Sequence, residues 1–527
     1  MRVFRSEGRR RHIWRLENLA GLTLVLLLLL SGCGGALVTP RELTGTAQAA
    51  APADPTQTPE RLTIETPTPI PAEAIAGGAE PELADNPTVT IWVNEISEEH
   101  RQALANIAAD YNDETGIQVS VMHVSPALLP ELVQTAVLSN TLPDLIIHPM
   151  EYTMGWAEQG ILDPAAAAEA IGVLGEATFA PEPLALMQLN GQPAAIPSDG
   201  WTRLIIYRQD WFDERGLNRP DSFDHIMTAS EAIYDAENGI SGLVVPTESS
   251  LFSTQQTFEQ FAVANGCDLV DEKGEVLLLH PACLDTLDYY RELINLYSPS
   301  DVQTDISALN SYLAGRTSLI IVPSSVLPQL AGLDPLFPPR CPECSTNDYL
   351  VGVSGIATDI TGRSEFARSA SFSELTYLGI TRTAQKDLAI SFAEYWFETA
   401  YEQWLAVDSE RKVPLRLGTA AEPERYFAAW GSQPLDAAGT TLLDIYGPET
   451  IAQVRDGVVT ANRWAFRQGQ GALMTDIYEE LTLSILLQEL LSGYFTSSYA
   501  IIDAYQRVTD LIPGYQYYPE PVEEESG

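Results

Sequence analysis

Polar and aromatic side chains follow predicted strands in the first part of the chain. These residues are Asn94, Glu95, His148, Glu151 and Tyr152. Carboxylates, amides and imidazoles can hydrogen-bond the hydroxyl groups of a small solute, and an aromatic ring can cover its apolar face. The carboxyl ends of parallel strands meet at one edge of an open sheet, where ligands bind. The sequence therefore predicts a binding cleft at this edge.

A further aromatic residue directly follows a turn signal. Residues 197–200 read Pro-Ser-Asp-Gly, which predicts a turn, and Trp201 comes next, shortly before the apolar run 204–207. Trp201 either packs into a core or faces a bound molecule. We assign Trp201 and its neighbour Asp199 to the cleft.

The elements that must position these residues alternate between strand and helix. Strands are predicted at residues 88–93, 117–124 and 143–149, and helices at residues 97–116 and 127–140. This alternation is typical of an open parallel α/β sheet. A second α/β region begins near Trp201. Its predicted strands are residues 240–246, 318–325, 349–356 and 374–381, with a hairpin at 267–279 and a long helix at 386–406.

The charge balance narrows the class of partner. The chain has 527 residues, with 72 acidic against 29 basic side chains and a formal net charge of −43. Such a field repels phosphates, so we expect no nucleic-acid partner. The six histidines are scattered, and we expect neither a metal site nor a cofactor. The length suffices for two or three domains.

The N-terminal residues indicate the compartment. Six arginines precede an apolar run that is short for a membrane span and ends in Leu30-Ser31-Gly32-Cys33. This ending resembles a lipobox. It predicts a signal peptide over residues 1–33 and a lipidated Cys33 that anchors the protein on the extracytoplasmic face of the cell membrane. A plain secretory signal and an N-terminal anchor helix are the alternatives.

Segments of low apolar content lie at both ends of the mature chain. Residues 34–87 are rich in Pro, Thr, Ala and Glu, a composition typical of an extended, disordered tether. Residues 513–527 are an acidic tail that we expect to be frayed.

Four cysteines remain if Cys33 carries lipid. They are Cys267, Cys283, Cys341 and Cys344. An even number in an oxidising compartment predicts two disulfides. A local Cys341–Cys344 bridge would leave Cys267 with Cys283, although the sequence does not prove this connectivity.

Several ordered motifs between residues 88 and 512 resemble the extracellular solute-binding proteins of ABC importers, closest to the family-one, sugar-type members that include maltose-binding protein. The motifs are VTIWVNE, DETGIQVSV, SNTLPDLIIHPMEYTMGWAEQGILDP, AAIPSDGWTRLIIYRQDWFDERGLNRPDSFDHI, GCDLVDEKGEV and ELTYLGITRTAQKDLAISFAEYWFET. The resemblance implies a type II periplasmic-binding-protein-like α/β fold, in which two lobes are joined by a multi-strand hinge with the ligand cleft between them. Lobe 1 would hold residues 88–198 and 378–412, and lobe 2 residues 199–377 and 413–512.

The resemblance also implies roles for single residues. Trp92 and Asn94 match the tryptophan and asparagine of the family's opening strand, but Ile96 and Ser97 replace the acid and lysine that follow. Glu151 falls where a sugar-binding carboxylate sits, and His148 falls where the family has a tryptophan. Trp201 falls at the position of another carboxylate. Two more residues are assigned to the cleft: Glu374 on a hinge strand, and Trp464 in the late segment that lines the cleft in the family.

The function that follows is capture, not catalysis. The chain has no G-x-S-x-G, H-E-x-x-H or G-x-x-x-x-G-K-[ST] motif, and we expect no enzyme. The prediction is a monomeric, lipid-anchored receptor that binds a mono- or oligosaccharide and delivers it to an ABC permease. Two alternatives remain: the same fold binding a polyamine, peptide or glycerophosphodiester, and a sensor or adhesion lipoprotein that no longer transports.

Overall fold

An eight-stranded mixed sheet organises the chain. The computed structural model describes residues 87–460 and 462–515. The predicted signal peptide with Cys33, the tether up to residue 86, and the tail from residue 516 onward lie outside these residues.

Twelve strands occur in the described residues. They are β1 (Thr88–Val93), β2 (Gln118–His123), β3 (Leu145–Pro149), β4 (Gln188–Leu189), β5 (Gln192–Pro193), β6 (Ile196–Arg208), β7 (Leu319–Pro323), β8 (Ser354–Ala357), β9 (Asp359–Thr361), β10 (Ser369–Ser371), β11 (Ser373–Ile380) and β12 (Val413–Pro414).

Nineteen α-helices accompany them in the same residues. They are α1 (Glu98–Thr115), α2 (Leu129–Ser139), α3 (Met150–Glu158), α4 (Pro164–Leu174), α5 (Pro181–Leu186), α6 (Gln209–Arg215), α7 (Phe223–Ile233), α8 (Phe252–Ala264), α9 (Pro281–Tyr297), α10 (Asp305–Leu313), α11 (Leu327–Leu330), α12 (Tyr349–Val353), α13 (Lys386–Tyr395), α14 (Tyr401–Leu405), α15 (Arg425–Ala429), α16 (Leu442–Val459), α17 (Gly471–Glu479), α18 (Thr482–Leu491) and α19 (Ser497–Asp510). A π-helical turn, Trp396–Ala400, joins α13 to α14.

The order of strands in the sheet is β12-β6-β11-β3-β1-β2, and β7 and β8 also pair with β6. β1 runs parallel to both β2 and β3, which is the arrangement that the alternating strands and helices predict. β11 is antiparallel to β3 on one side and to β6 on the other. The three segments where the chain was expected to pass between lobes therefore lie side by side as β6, β11 and β12.

β6 is a continuous strand of thirteen residues that connects two hydrophobic cores. Its first residue, Ile196, belongs to a core built on β1, α1, α4 and α13. Its residues Leu204, Ile205, Ile206 and Tyr207 belong to a larger core with α7, α8 and α9. The first part of β6 pairs with β11 and the last part with β7 and β8.

The ends of α1 show why the local sequence predicts this element well. The Ser97 side chain accepts a hydrogen bond from the His100 amide, and Gly116 ends the helix in the left-handed conformation at φ 74°. Serine satisfies a free amide at a helix start, and glycine adopts a positive φ at low cost.

Three local predictions are corrected. Residues 197–200 form no turn but lie within β6. Residues 240–246 form only isolated bridges, because the amides of Gly242 and Val244 bond to the carbonyls of Tyr297 and Leu319 outside any ladder. Residues 349–353 are helix α12, so the strand predicted there is limited to β8.

Both disulfides are present. Cys267 is bonded to Cys283 and Cys341 to Cys344. Across residues 87–460 and 462–515, no helix combines the length and apolarity needed to cross a membrane. The same residues contain no cluster of three His, Cys, Asp or Glu side chains that could hold a metal ion.

Candidate ligand-binding site

A cavity of about 260 Å³ lies at the carboxyl ends of β1 and β3 and over the middle of β6 and β11. Seven of the ten residues predicted to bind ligand line this cavity. They are Asn94, Glu95, Glu151, Tyr152, Asp199, Trp201 and Glu374. Residues far apart in the sequence therefore meet at one site.

The floor of the cavity is a patch of four side chains on two neighbouring strands. Asp199 lies opposite Thr376, and Trp201 lies opposite Glu374, in the antiparallel pairing of β6 with β11. Alternate residues of a strand share a face, and all four of these residues line the cavity. Trp201 is the one described residue of β6 that is not buried, so its indole is open to a ligand.

Gly200 lies between the two floor residues of β6 and permits the close approach of β11. A Cβ atom at this position would lie 2.6 Å from the Glu374 carbonyl oxygen and 2.9 Å from Leu375 Cδ2. Glycine in a strand often marks such a contact between backbones. The Asp-Gly pair that resembles a turn thus serves strand packing.

One wall of the cavity is the first turn of α3. Glu151 and Tyr152 both begin this helix directly after β3. The Tyr152 ring stacks on Trp156, with centroids 5.1 Å apart and planes inclined by 14°. This contact fixes the orientation of the tyrosine at the cavity.

Beneath that wall, the buried guanidinium of Arg463 gathers carboxyl groups from three elements. Its Nε lies 2.8 Å from Glu259 on α8, and its Nη2 lies 2.9 Å from Glu151 on α3. Its Nη1 is farther, at 3.8 Å, from Glu374 on β11. Nη2 also donates to the Tyr478 hydroxyl at 3.0 Å. One cation therefore holds three acids, and Glu374 receives its weakest contact.

Burial and the close approach of the acids shift the pKa values of Glu374 and Glu259. Burial, followed by repulsion from Glu151, raises the pKa of Glu374 well above its ordinary value. Burial also raises the pKa of Glu259, although Arg463 opposes the shift. The Glu374 carboxyl accepts a hydrogen bond of 2.8 Å from the Gln256 amide. Its other oxygen, Oε1, is buried and accepts no hydrogen bond from a described donor, while the carboxyl group shares a side-chain hydrogen bond with Glu151.

The opposite wall combines an acid with a buried lysine. Asp199 accepts hydrogen bonds from the Ser198 hydroxyl at 2.7 Å and from the Trp404 indole at 2.8 Å. Lys412 Nζ contacts His100 Nε2 at 2.8 Å and lies 3.7 Å above the centre of the Trp404 ring. Burial lowers the pKa of Lys412 to about 8. Lys412 also donates to two backbone carbonyls, so its donors serve the protein.

Glu95 and Arg411 form the remaining charged pair at the cavity. Arg411 Nη2 lies 3.7 Å from a Glu95 carboxylate oxygen, and the arginine side chain is 40% exposed. Burial raises the pKa of Glu95, while Arg411 opposes the shift. This pair is the most accessible ionic contact at the site.

Three predicted residues lie elsewhere. Trp92 is only partly buried on β1 and packs against the larger core. His148 is fully buried and contacts the Trp156 ring edge-on at 5.1 Å. The Trp464 indole is also buried, and it donates to the Cys267 carbonyl at 2.7 Å. None of these three side chains lines the described cavity.

Other lining residues had no sequence signal of their own. Phe252 and Gln256 lie on α8, and Tyr478 lies on α17. In the sequence, each of them has the helical spacing that is typical of a residue packed into a core. Thr376 could have been found from Glu374, because it lies two residues farther along the same strand. Lys412 directly precedes β12, and the sequence did not assign it to the cleft.

A second, wider groove of about 1200 Å³ lies between α3, α17 and the loop around Gly274. None of the ten predicted residues lines it, and it borders Tyr515, the last described residue. Both pockets are lined by charged and aromatic side chains, and the smaller cavity is the candidate site because seven of the ten predicted residues line it.

Comparison with known proteins shows what the chain is similar to. The sequence profile of bacterial extracellular solute-binding proteins matches residues 97–333. The match covers less than half of the 527-residue chain, so it shows a similarity to that family. The chain is also 25% identical, over 259 residues, to the putative ABC transporter periplasmic-binding protein YcjN of Escherichia coli (strain K12). That match covers 48% of this chain and 60% of the relative, so the chain spans less than two thirds of the length of the relative.

Solved structures share the fold. A solute-binding protein of Agrobacterium radiobacter K84 in complex with ribitol has a TM-score of 0.61 at 17% identity, covering 81% of this chain and 99% of that one. Maltose-bound MalE3 of T. maritima has a TM-score of 0.61 at 16% identity, covering 81% and 100%. At such identities the likeness establishes the fold alone. The predicted type II periplasmic-binding-protein-like fold is confirmed, and the matching family and the similar structures are substrate-binding proteins, as expected from the sequence.

Proposed function

We propose that the chain is the lipid-anchored, extracytoplasmic receptor of an ABC importer, and that it captures a carbohydrate in the cavity over β6 and β11. The observation that carries this proposal is the floor patch, where an open indole lies beside carboxyl groups. Aromatic faces cover the C–H face of a sugar ring, and carboxylates accept bonds from its hydroxyls.

The size of the cavity limits the solute. Ligand sites for drug-sized molecules span roughly 300–1000 Å³, and this cavity measures about 260 Å³. A monosaccharide or short oligosaccharide suits this volume better than a long chain. The likeness to proteins in complex with ribitol, tagatose and maltose supports a polyhydroxylated solute.

Capture would proceed by closure of two lobes, residues 88–198 with 378–412 and residues 199–377 with 413–512. β6, β11 and β12 are adjacent in the sheet and form the proposed hinge. Closure would bury the solute hydroxyls, so each hydroxyl left without a partner would cost free energy and select the correct solute. Delivery to a permease and anchoring through Cys33 complete the proposal.

A thermal-shift screen of the purified protein tests the capture. Sugars, polyols, polyamines and peptides should be compared at matched concentrations. A solute at a hundredfold excess over its Kd stabilises the folded state by about 2.7 kcal/mol, which should raise Tm by a few degrees. A shift with peptides alone would contradict the carbohydrate proposal, and an unchanged Tm throughout would contradict solute capture.

A further inference from the structure

The cavity has more acids than its cations can neutralise. Four carboxyl groups line it, from Glu95, Glu151, Asp199 and Glu374, against two cationic side chains, Arg411 and Lys412. Directly behind the wall, Glu259 and Arg463 add one group of each sign. Lys412 is bonded to His100 and to backbone carbonyls. The acids around Glu374 therefore share Arg463 alone.

Among these acids, Glu374 is the one that has no close cation, since Arg463 lies 3.8 Å away. Its side chain is only 9% exposed, and it lines the cavity. Oε1 accepts no hydrogen bond from a described donor, and the carboxyl group shares a side-chain hydrogen bond with the Glu151 carboxyl group, which requires a proton between two acids. An unsatisfied buried carboxyl is costly, and it either keeps a proton or awaits a cation. The missing component is thus a positive charge or a hydrogen-bond donor at this wall.

We propose that the captured solute carries a positively charged amino group, and that this ammonium binds at Glu374 and Glu151 while the ring lies against Trp201. The inference rests on the proposed function and specifies its solute as an amino sugar. The Trp201–Glu374 pairing across β6 and β11 places the aromatic face and the acid side by side, at the distance of neighbouring strands.

When the solute binds, its ammonium group takes the place of the proton on Glu374. In the free protein, burial and the nearby Glu151 raise the pKa of Glu374, which favours the protonated form of its carboxyl group. The ammonium replaces that proton, which passes to the buffer, and an ion pair forms between the ammonium and the carboxylate. The charged and titratable groups facing Glu374 are Glu151 and Tyr152 on α3, Glu259 on α8, Tyr377 on β11, Tyr478 on α17 and Arg463.

Isothermal titration calorimetry at pH 7 tests the inference. The panel consists of D-glucosamine, D-galactosamine and D-mannosamine with their parent hexoses, plus putrescine and spermidine. In two buffers of different ionisation enthalpy, we expect net proton release when the amino sugar binds. We expect at least tenfold tighter binding of that amino sugar than of its neutral parent.

Two variants locate the released proton. Glu374→Gln keeps the shape of the side chain but removes the acid, and it should abolish proton release and most of the preference for the amine. Glu410→Gln is the matched control, because burial raises the pKa of Glu410 to about 7 and this residue does not line the cavity. Proton release should persist in Glu410→Gln.

The outcomes separate this inference from the proposed function. A neutral hexose that binds as tightly as its amino derivative, without proton release, would overturn the inference and leave carbohydrate capture standing. Putrescine or spermidine binding alone, with release that Glu374→Gln abolishes, would support the ammonium site and overturn the carbohydrate. Failure of every amine to bind would overturn the inference.

Discussion

Trp201 on β6 and Glu374 on β11 are paired residues of two antiparallel strands, and both side chains line the same cavity. An aromatic face and a carboxyl group are therefore held side by side by backbone hydrogen bonds. Residues so placed keep their spacing without help from a loop, which gives a site a defined geometry before the ligand arrives.

The first prediction concerns the indole. Trp201→Ala should weaken carbohydrate binding by about 1–3 kcal/mol, roughly 5- to 150-fold, because it removes an aromatic contact and the apolar area that it buries. Titration calorimetry with whichever sugar shifts Tm measures the loss. Trp211→Ala is the matched control, since Trp211 is also partly exposed but contacts Arg208 and does not line the cavity. Equal affinities in wild type and Trp201→Ala would contradict a binding role.

The second prediction concerns strand packing. Gly200→Ala should lower the free energy of unfolding by about 1–3 kcal/mol, since its Cβ would press on the β11 backbone. Urea unfolding measures the change. Gly172→Ala serves as control: Gly172 is in α4, and no described atom lies within 4 Å of its added Cβ. The control should be as stable as wild type or more stable by up to about 1 kcal/mol.

The turn predicted at residues 197–200 is wrong because the strand that forms there depends on distant parts of the chain. Pro-Ser-Asp-Gly is a local turn signal, but the pairing of residues 199–200 with β11 and β12 depends on segments more than 170 residues away. Ser97 and Gly116, by contrast, act within one helix, and α1 was predicted at nearly its observed bounds. Capping and periodicity are local, whereas sheet register is not.

The same distinction applies to the site. Asn94 and Glu151 follow strands, so topology alone placed them near the cavity. Arg463 has its partners on α3, α8 and β11, and nothing in its own neighbourhood indicates that it would gather three acids. His148 also follows from topology, but the register of β3 directs it into the core, a difference of one residue that the sequence does not reveal.

The third prediction concerns this buried arginine. Arg463→Met should destabilise the protein by about 3–5 kcal/mol, because it leaves buried carboxyl groups without their cation. Without Arg463, the pKa values of these acids in the folded state rise above those in the unfolded chain. The free energy of unfolding of the variant therefore decreases as pH increases. Urea unfolding should therefore show a larger deficit at pH 7.5 than at pH 5.

An exposed ion pair provides the comparison for Arg463. Arg368→Met removes a 2.6 Å contact to Asp268 in which the side chains are 42% and 26% exposed. Exposed pairs contribute only about 0–1 kcal/mol, and this variant should stay within that range. A loss at Arg463→Met no larger than at Arg368→Met would show that the buried cluster does not need its cation.

The fourth prediction concerns pH. Burial lowers the pKa of His148 to about 4, below the value of about 6.5 in an unfolded chain. The unfolded state therefore binds more protons between these values, and stability falls as pH drops from about 6.5 to 4, by about 3 kcal/mol at most. His148→Leu lacks this contribution. The stability difference between wild type and variant should shift in favour of the variant at pH 4.5 relative to pH 7 in urea unfolding. An identical difference at both pH values would contradict a neutral, buried imidazole.

The two faces of the β6–β11 pair contact different parts of the protein. Asp199, Trp201, Glu374 and Thr376 face the cavity, while α16 covers the reverse side, where Ser373 donates a hydrogen bond to the Gly457 carbonyl. Because side chains alternate along a strand, none of the four cavity positions faces α16, and Trp201 and Thr376 can change without removing the hydrogen bonds that Asp199 and Glu374 accept from Trp404 and Gln256. Selection can therefore retune which solute is recognised through a handful of codons while the supporting framework keeps its sequence, so new specificities can evolve without a new scaffold.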